Sequence, residues 1–309
     1  MIKFNPIYLK RNQGLGNVLR LAINSASYDI VARMDSDDIA VNDRFEKQLD
    51  YLSAYSEIGM VGGNITEFIG EVTNTVAQRM VPEKNDDICS YMKRRCPFNH
   101  MTVMFRKEAV LRAGNYQHWL WNEDYFLWIR MQLAGVMFGN LKENLVNVRV
   151  SKDMYIRRGG WKYFCSEATI QSYMLTHRVI SFPLYLYNIV LRFGGQVVLP
   201  NWLRAKAFKI MRQKPQDGQV ITAVESNVQT DAKCVKMNNN LPPFSVAMSV
   251  YKNDNPEWFD KALESITVNQ TVKPTEIVLV VDGPVSNTIL TVIEKYKTIC
   301  TELGDCIDN

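Results

Sequence analysis

The sequence predicts an α/β protein built on an open, mostly parallel β-sheet flanked by helices. Short β-rich runs alternate with helical periodicity over residues 2–134, and the same alternation starts again at residue 244. The run 276–281 contains only Val, Ile and Leu after its first residue, which is typical of a parallel strand buried on both faces. An apolar content of 47% excludes a disordered chain, and a net charge of +4 is too small to indicate a nucleic-acid partner.

Each element is predicted from its own pattern. Alternating or continuous β-rich runs predict strands, and apolar residues spaced three and four apart predict helices. The predicted strands span residues 2–9, 28–34, 58–68, 103–105, 244–251 and 276–281. The predicted helices span residues 14–26, 44–54, 124–134, 256–269 and 286–303.

Composition divides the chain into four regions. The β/α pattern of residues 1–160 is followed by a basic, aromatic-rich helical segment at 161–215, a polar linker at 216–243 and a second β/α region at 244–309. Residues 151–214 hold eleven Lys and Arg against two acidic residues, a net charge of +9. We expect this amphipathic stretch to lie on an anionic membrane surface. The alternative is a helix packed on the rest of the protein with a solvated basic face.

The strongest local motif is the run Arg-Met-Asp-Ser-Asp-Asp at 33–38, which ends a predicted strand. Asp35 and Asp37 are separated by one residue and therefore point to the same side of the strand. Carboxylate oxygens in such a pair suit Mg²⁺ or Mn²⁺, with phosphate oxygens and water as the other ligands. The alternative is a capped turn that opens the next helix.

A second acidic motif, Glu123-Asp124, follows a Trp-rich stretch that ends at Trp121 and opens a predicted helix. A carboxylate in an aromatic pocket keeps a pKa suited to a general base. Aromatic side chains beside it also suit the apolar faces of sugars. The alternative is an acidic first turn that the helix dipole stabilises.

Further candidates lie in the loops where open α/β sheets bind ligands, or in short motifs suited to phosphate. They are Tyr251 and Asp282 at strand ends, Arg11 and Gln13 in a Gly-containing loop, Arg157 and Arg158 before two glycines, and His100 before a short strand. Plain turn chemistry, a solvated Arg pair and a structural histidine are the alternatives.

Together these motifs resemble the family 2 glycosyltransferases with the GT-A fold, above all bacterial enzymes of the amylovoran, capsule and O-antigen type. One resembling stretch is Ile-Val-Ala-Arg-Met-Asp-Ser-Asp-Asp at 30–38. The others lie at 11–17, 97–105, 122–128, 153–160, 244–251 and 277–284. They cover nearly the whole chain outside the linker.

The resemblance implies an inverting transfer of a sugar from a nucleotide-sugar, usually a UDP-sugar, with Mn²⁺ or Mg²⁺ as cofactor. It implies a lipid-linked or oligosaccharide acceptor in cell-surface polysaccharide synthesis. The enzyme is then expected in the cytoplasm, peripheral on the inner face of the cell membrane. The six cysteines agree with a reducing cytosol, because none has CxxC or Cys/His spacing.

The resemblance also implies roles for single residues. Asp37 holds the metal, and Asp35 contacts the ribose or the metal. Asp124, with Glu123 beside it, removes the proton of the acceptor hydroxyl. The implied nucleotide-sugar contacts are Ser249, Tyr251, Asp282, Arg11, Gln13, Asp35, Arg157 and Arg158. Candidates for the acceptor or donor site are His100 and Trp121.

The order of the motifs departs from the family order, because the units at 244–251 and 277–284 come last instead of first. The sequence therefore predicts a circular permutation, in which the helix that ends near residue 303 leads into the strand at 2–9. The linker then joins the old ends. The alternatives are a fragment cut across two tandem copies and an assembly artefact.

Two other functions remain open from the sequence. An NDP-sugar nucleotidyltransferase also has an open α/β sheet and acidic metal ligands, but its Gly-rich loop after the first strand is missing at 251–254. An inactive, permuted remnant that only binds nucleotide or glycan is the second alternative.

Overall fold

The computed structural model describes residues 1–150, 159–199 and 241–305. Arg157 and Arg158 lie outside the described residues, as do residues 200–215 of the basic segment and most of the linker.

The strands and helices predicted one by one above are all present, with ends shifted by a few residues. The strands are β1 (Lys3–Tyr8), β2 (Ile30–Met34), β3 (Ile39–Ala40), β4 (Ile58–Phe68), β5 (Thr75–Arg79), β6 (Met104–Arg106), β7 (Met137–Arg149), β8 (Phe244–Tyr251) and β9 (Glu276–Asp282). The α-helices are α1 (Leu15–Ser25), α2 (Arg44–Ala54), α3 (Asn85–Met92), α4 (Lys107–Arg112), α5 (Glu123–Leu133), α6 (Trp161–Thr176), α7 (Phe182–Phe193), α8 (Pro256–Ile266) and α9 (Asn287–Asp305). The sequence pattern did not predict β3, β5, β7, α3 or α4.

The described strands form one open sheet in the order β1-β9-β8-β2-β6-β4-β7-β3, with β5 beside β4. The four neighbours β1, β9, β8 and β2 are parallel, and so are β4 and β7. The short strand β6 runs antiparallel to both of its neighbours, which makes the sheet mixed. The prediction of an open α/β sheet flanked by helices is confirmed.

Both faces of the sheet are covered by helices. In β9 the side chains of Ile277 and Leu279 join the apolar cluster that contains Phe259 of α8. Val278, on the opposite face, joins the cluster that contains Trp128 of α5. This alternation follows from the period of two along a strand, and burial on both faces explains why the run contains only Val, Ile and Leu.

Two helices, α6 and α7, account for much of the described part of the predicted basic segment. The buried side chains of Ile170 and Met174 in α6 pack into the same cluster as Trp128. Arg192 in α7 is buried and forms an ion pair with Glu167, with 2.8 Å between Nε and Oε2. Arg192 is therefore not part of an outward basic face. Among the described helices, none combines the length and the apolar character needed to cross a bilayer.

Candidate active site

The candidate site lies at the carboxyl ends of β2, β8 and β9, which are parallel neighbours in the sheet. Asp35 follows β2 directly. Tyr251 ends β8 opposite Asp282, the last residue of β9. Parallel strands bring the residues at their carboxyl ends to one edge, where open α/β sheets bind ligands. Residues from distant parts of the chain thus meet at this edge.

Three carboxylates crowd the end of β2. One oxygen from each of Asp35, Asp37 and Asp38 lies within 4.8 Å of the others. The buried guanidinium of Arg33 donates hydrogen bonds to both carboxylate oxygens of Asp35, with 2.6 Å between Nη1 and Oδ2. Asp38 is buried, and its Oδ1 accepts a hydrogen bond from the backbone N–H of Arg149 at 2.9 Å. Protein donors therefore fix both Asp35 and Asp38.

The crowding shows in the acidities of this cluster. Burial, followed by the charges of Asp35 and Asp254, raises the pKa of Asp37 to about 6. Burial, followed by the charges of Asp37 and Asp35, raises the pKa of Asp38 well above its usual range. A divalent cation offsets such repulsion, and a set of carboxylate oxygens is what Mg²⁺ and Mn²⁺ prefer. The residues present therefore fit a hard divalent metal.

Asp254 is a fourth carboxylate at this edge, and the sequence reasoning missed it. Its Oδ2 accepts hydrogen bonds from Ser36 Oγ at 2.8 Å and from the backbone N–H of Tyr251 at 3.0 Å. It therefore ties the loop after β8 to the acidic motif after β2. The available signal was an aspartate in a turn directly after a strand, where its side chain bonds to nearby backbone.

Asp282 holds the loop in front of α1. Its Oδ1 accepts a hydrogen bond from the backbone N–H of Gln13 at 2.7 Å. Its Oδ2 accepts from Asn12 Nδ2 at 2.8 Å and from the N–H of Gly14 at 3.1 Å. The next residue, Gly283, has a φ of +87°, and a Cβ there would lie 2.8 Å from the Asn12 nitrogen. The structure thus joins Asp282 to the predicted loop, with both carboxylate oxygens directed at that loop.

The other predicted nucleotide-sugar contacts within the described residues lie in the same region. Arg11 and Gln13 are exposed in the loop that Asp282 binds. Ser249 is half-buried opposite Val280, and Tyr251 is exposed at the end of β8. The exposure of Arg11, Gln13 and Tyr251 leaves these side chains accessible to a ligand.

The second acidic motif forms the first turn of α5. Burial, followed by the charge of Asp124, raises the pKa of Glu123 to about 7. The charge of Arg33 lowers this pKa, and the charge of Asp35 raises it. The two acidic motifs are therefore close enough to influence one another. Asp124 also accepts a weak hydrogen bond from Cys96, with 3.8 Å between Sγ and Oδ2.

The loop before α5 is anchored to α6. Ser166 Oγ donates to the carbonyl of Leu120 at 2.6 Å and accepts from Trp119 Nε1 at 3.1 Å. Trp121 has a positive φ of 66° and is 47% exposed, with its ring centroid 5.8 Å from that of Tyr163. An accessible aromatic ring thus stands directly before the acidic pair.

His100 lies in an aromatic pocket next to the site. Its Nε2 is 2.7 Å from the hydroxyl of Tyr116, and its ring makes an edge contact with Trp128. Burial, followed by the charge of Arg33, lowers the pKa of His100 well below its usual range. The imidazole is therefore neutral at neutral pH and hydrogen-bonded. Tyr116, whose burial raises its pKa, was not singled out by the sequence reasoning.

An open α/β sheet with carboxylates at the carboxyl ends of its strands places this chain among the α/β proteins that bind ligands at that edge. Comparison with known proteins identifies the family within this class, because residues 2–117 match the model of glycosyl transferase family 2. The match contains Asp35 and Asp37, whereas Glu123 and Asp124 lie just beyond its end.

Curated relatives agree with that match. The chain is 40% identical to the amylovoran biosynthesis glycosyltransferase AmsE of Erwinia amylovora over 54% of this chain and 61% of the relative. It is 38% identical to an uncharacterized glycosyltransferase of Haemophilus influenzae over 67% of this chain and 77% of the relative. It is 34% identical to the UDP-Gal:alpha-D-GlcNAc-diphosphoundecaprenol beta-1,3-galactosyltransferase of Escherichia coli over 65% of this chain and 72% of the relative. The chain belongs to glycosyl transferase family 2, and its sheet agrees with the GT-A fold.

Proposed function

We propose that this protein is a metal-dependent, inverting glycosyltransferase that uses a UDP-sugar and a lipid-linked or oligosaccharide acceptor in cell-surface polysaccharide synthesis. The observation that carries the proposal is the carboxylate cluster at 35–38 at the end of β2, together with a pair at 123–124 whose acidity the charge of Asp35 affects. The Escherichia coli relative is named for a UDP-Gal donor and a diphosphoundecaprenol-linked acceptor, which supports these substrate classes.

In the proposed reaction, Asp124 removes the proton from the acceptor hydroxyl. The acceptor oxygen forms a bond to the anomeric carbon from the side opposite the diphosphate. The bond between that carbon and the diphosphate oxygen breaks, and its electron pair leaves with the nucleoside diphosphate. The pKa of about 7 at Glu123 supports this role for the pair, because the pair then changes its protonation near neutral pH.

Asp37 is the residue we propose to hold the metal, with Asp35 sharing that contact or binding the ribose. Both oxygens of Asp35 already accept hydrogen bonds from Arg33, so its capacity for a metal is smaller than that of Asp37. A bound Mn²⁺ or Mg²⁺ supplies positive charge to the departing diphosphate.

We assign the nucleotide-sugar to the edge formed by the loop in front of α1 and the ends of β2, β8 and β9. The proposed contacts there are Ser249, Tyr251, Asp282, Arg11, Gln13 and Asp35. Arg157 and Arg158 are proposed to contact the diphosphate on grounds of sequence alone. His100 and Trp121 are candidates for the donor or acceptor side, and the exposed ring of Trp121 supports a contact with a sugar face.

We further propose that the enzyme works in the cytoplasm on the inner face of the cell membrane. The support is the net charge of +9 in residues 151–214, because cytoplasmic leaflets carry anionic lipids. A lipid-linked acceptor is also found at such a surface.

The test is release of UDP or GDP by the purified chain with and without Mn²⁺, using UDP-glucose, UDP-galactose, UDP-GlcNAc and GDP-mannose as donors. We expect Asp37→Asn and Asp124→Asn to lower kcat by about a hundredfold or more. Asp50→Asn, at an exposed position on α2, is the matched control and keeps its activity. Unaltered turnover in both site variants would refute the site assignment.

Two further measurements separate the alternatives. Thermal stabilisation by UDP and Mn²⁺ without turnover of any donor identifies a binding-only remnant. Formation of an NDP-sugar from a nucleoside triphosphate and a sugar 1-phosphate identifies a nucleotidyltransferase.

We also propose that the chain order is a circular permutation of the family order. The support is the pairing of β8 with both β9 and β2, all in parallel, although the linker and α6 and α7 separate β2 from β8 along the chain.

A further inference from the structure

Helix α7 buries two polar side chains and exposes most of its apolar ones. Its side chains Asn188 and Arg192 are buried against the rest of the protein. Asn188 Nδ2 donates to the carbonyl of Lys93 at 2.9 Å and to Gln171 Oε1 at 2.8 Å. Arg192 forms the ion pair with Glu167 described above. Two polar side chains thus share the inward face with partly buried apolar residues of the same helix, whereas an ordinary surface helix gives that face to apolar residues.

The outward face of α7 is apolar. Its exposed apolar side chains, each between 40% and 70% accessible, are Phe182, Leu186, Tyr187, Val190, Leu191 and Phe193. Residues three and four apart lie on one side of a helix, so these side chains form a continuous strip, here called the α7 patch. A contiguous exposed apolar strip on a folded domain marks a binding surface.

The α7 patch continues toward the acidic pair. The ring centroid of Phe193 lies 5.5 Å from that of Phe164 and 6.5 Å from that of Trp161. Trp161 in turn lines an apolar trough together with Trp119 and Leu120, in the loop that opens α5. An apolar path therefore runs from α7 to the loop that precedes the proposed catalytic base.

Positive charge accompanies the patch. Lys162 is exposed near the start of α6, and Arg178 is exposed in the turn between α6 and α7. The sequence at 200–214, directly after the described segment, adds five Lys and Arg and no acidic residue. Apolar and aromatic side chains combined with Lys and Arg are the composition of an interfacial helix on anionic lipid. A second copy of this chain fits less well, because it would bring two basic segments together.

We infer that the α7 patch docks on an anionic lipid bilayer. The inference deepens and rests on the proposed function, because it names the surface that meets the membrane and the path by which a lipid-linked acceptor reaches the site. The apolar side chains enter the boundary between headgroups and acyl chains, and the cations bind the headgroups.

The test is sedimentation of the full-length chain with vesicles of phosphatidylcholine and phosphatidylglycerol, and with vesicles of phosphatidylcholine alone. We expect the wild type to bind the mixed vesicles more tightly than the neutral ones. The double variant Leu186→Glu, Val190→Glu should lose about tenfold or more of the affinity for mixed vesicles. The matched control is Leu133→Glu with Val268→Glu, at two exposed apolar positions outside the α7 patch that are 43% and 44% accessible. This control should bind like the wild type.

Three results overturn the inference. One is unchanged vesicle binding in the α7 double variant. Another is a wild-type dimer that this variant converts to a monomer by light scattering, since the patch is then an interface between copies. The third is a Val190→Cys variant whose thiol labelling without lipid does not exceed that of the parent chain, since the patch is then already covered by this chain.

Turnover of donor with a soluble acceptor keeps the inference distinct from the proposed function. We expect the α7 double variant to retain that turnover, because the patch contributes no group to the reaction. Loss of vesicle binding in the variant, with no transferase turnover in any of the proteins, supports the docking surface and rejects the proposed function.

Discussion

Glu123 and Asp124 are adjacent carboxylates in the first turn of α5, and each disfavours ionisation of the other. The effect is visible at Glu123, whose pKa is raised to about 7 by burial and then by the charge of Asp124. The two groups therefore titrate as a pair, and the proton that Glu123 holds near neutral pH belongs to the pair. The acidic limb of the activity profile should report this pair.

Replacing Glu123 with Gln tests this coupling. The neutral amide removes the negative charge beside Asp124, which makes ionisation of Asp124 easier. We expect the acidic limb of kcat/KM to move to lower pH in Glu123→Gln, as measured by donor turnover across the pH range. Glu108→Gln, in the exposed first turn of α4, is the matched control. A limb that stays in place or moves to higher pH contradicts the coupling.

The pairing of Arg33 with Asp35 was not predicted from the sequence motif. The spacing of Asp35 and Asp37 places both on one side of the strand and does not by itself distinguish their surroundings. The structure gives both oxygens of Asp35 to the buried guanidinium of Arg33. That pairing depends on how the Arg33 side chain folds back over the strand end, which spacing does not encode.

Among the elements, β9, β8 and β1 are joined near their first residues by one buried carboxylate. Glu276 accepts hydrogen bonds from the Ser27 N–H at 2.7 Å and from Ser245 Oγ at 2.7 Å, and it lies 3.1 Å from Lys3 Nζ. Burial raises the pKa of Glu276, but these hydrogen bonds outweigh burial and leave it below its ordinary value of 4.5. The Lys3 contact adds little, since Lys3 is 60% exposed.

We expect Glu276→Gln to lower the free energy of unfolding by about 1.5–3 kcal/mol at neutral pH, because charge-assisted hydrogen bonds are lost. The folded-state pKa is depressed, so this stabilisation is present above the unfolded value of 4.5 and disappears as the pH falls through the folded value. Urea unfolding at pH 7 and below pH 4 measures both effects. Exposed Glu143→Gln is the control, and a difference that grows in acid contradicts the argument.

The turn after β9 and the loop before α1 approach each other too closely for a side chain. Gly283 has a positive φ, and a Cβ there would lie 2.8 Å from the Asn12 nitrogen. Gly70 has a similar φ of +74° with open space around its Cβ position. A comparison of substitutions at the two positions therefore separates the effect of backbone strain from that of steric contact.

Alanine at Gly70 should cost about 1–2 kcal/mol of unfolding free energy from its φ alone. Alanine at Gly283 should cost about 1–3 kcal/mol more, because the loop held by Asp282 must move. Chemical denaturation measures the two losses, and UDP binding should weaken only in Gly283→Ala. Equal losses in the two variants show that the close approach is not important for stability.

Strand β7, which sequence reasoning missed, has polar side chains among its buried residues. In β7 the amides of Asn140 and Asn147 are buried. Asn140 Nδ2 donates to the carbonyl of Pro82 at 2.7 Å, and Asn147 Oδ1 accepts from Asn144 Nδ2 at 2.9 Å. Such amides form hydrogen bonds with the backbone and with other amides. They interrupt the alternation of apolar and polar residues from which a strand is predicted. Strands β8 and β9 were predictable because apolar residues make up most of their buried side chains.

At the scale of the whole molecule, the sequence could predict those parts of the site that lie at strand ends. Asp35 and Asp282 were predicted to lie at the ligand-binding edge because each ends a β-rich run, and both are found there. Asp254 and Tyr116 were not singled out, since their places depend on tertiary contacts with Ser36 and His100. Such contacts join distant segments, which local patterns do not describe.

The proposed permutation makes a prediction about the whole chain. Near the amino end of β1, the N–H of Ile2 donates to the carbonyl of Cys300 in α9 at 3.2 Å. A rearranged chain in which residues 237–309 precede residues 1–236, joined directly, should therefore form the same sheet. We expect the rearranged chain to melt within a few degrees of the original and to turn over the same donor, because its core contacts are unchanged.

A chain opened inside β4, between Gly62 and Gly63, is the control and should not fold, since both residues are buried in the sheet. If the rearranged chain is as unstable as that control, the family order is not compatible with this fold and the permutation is rejected.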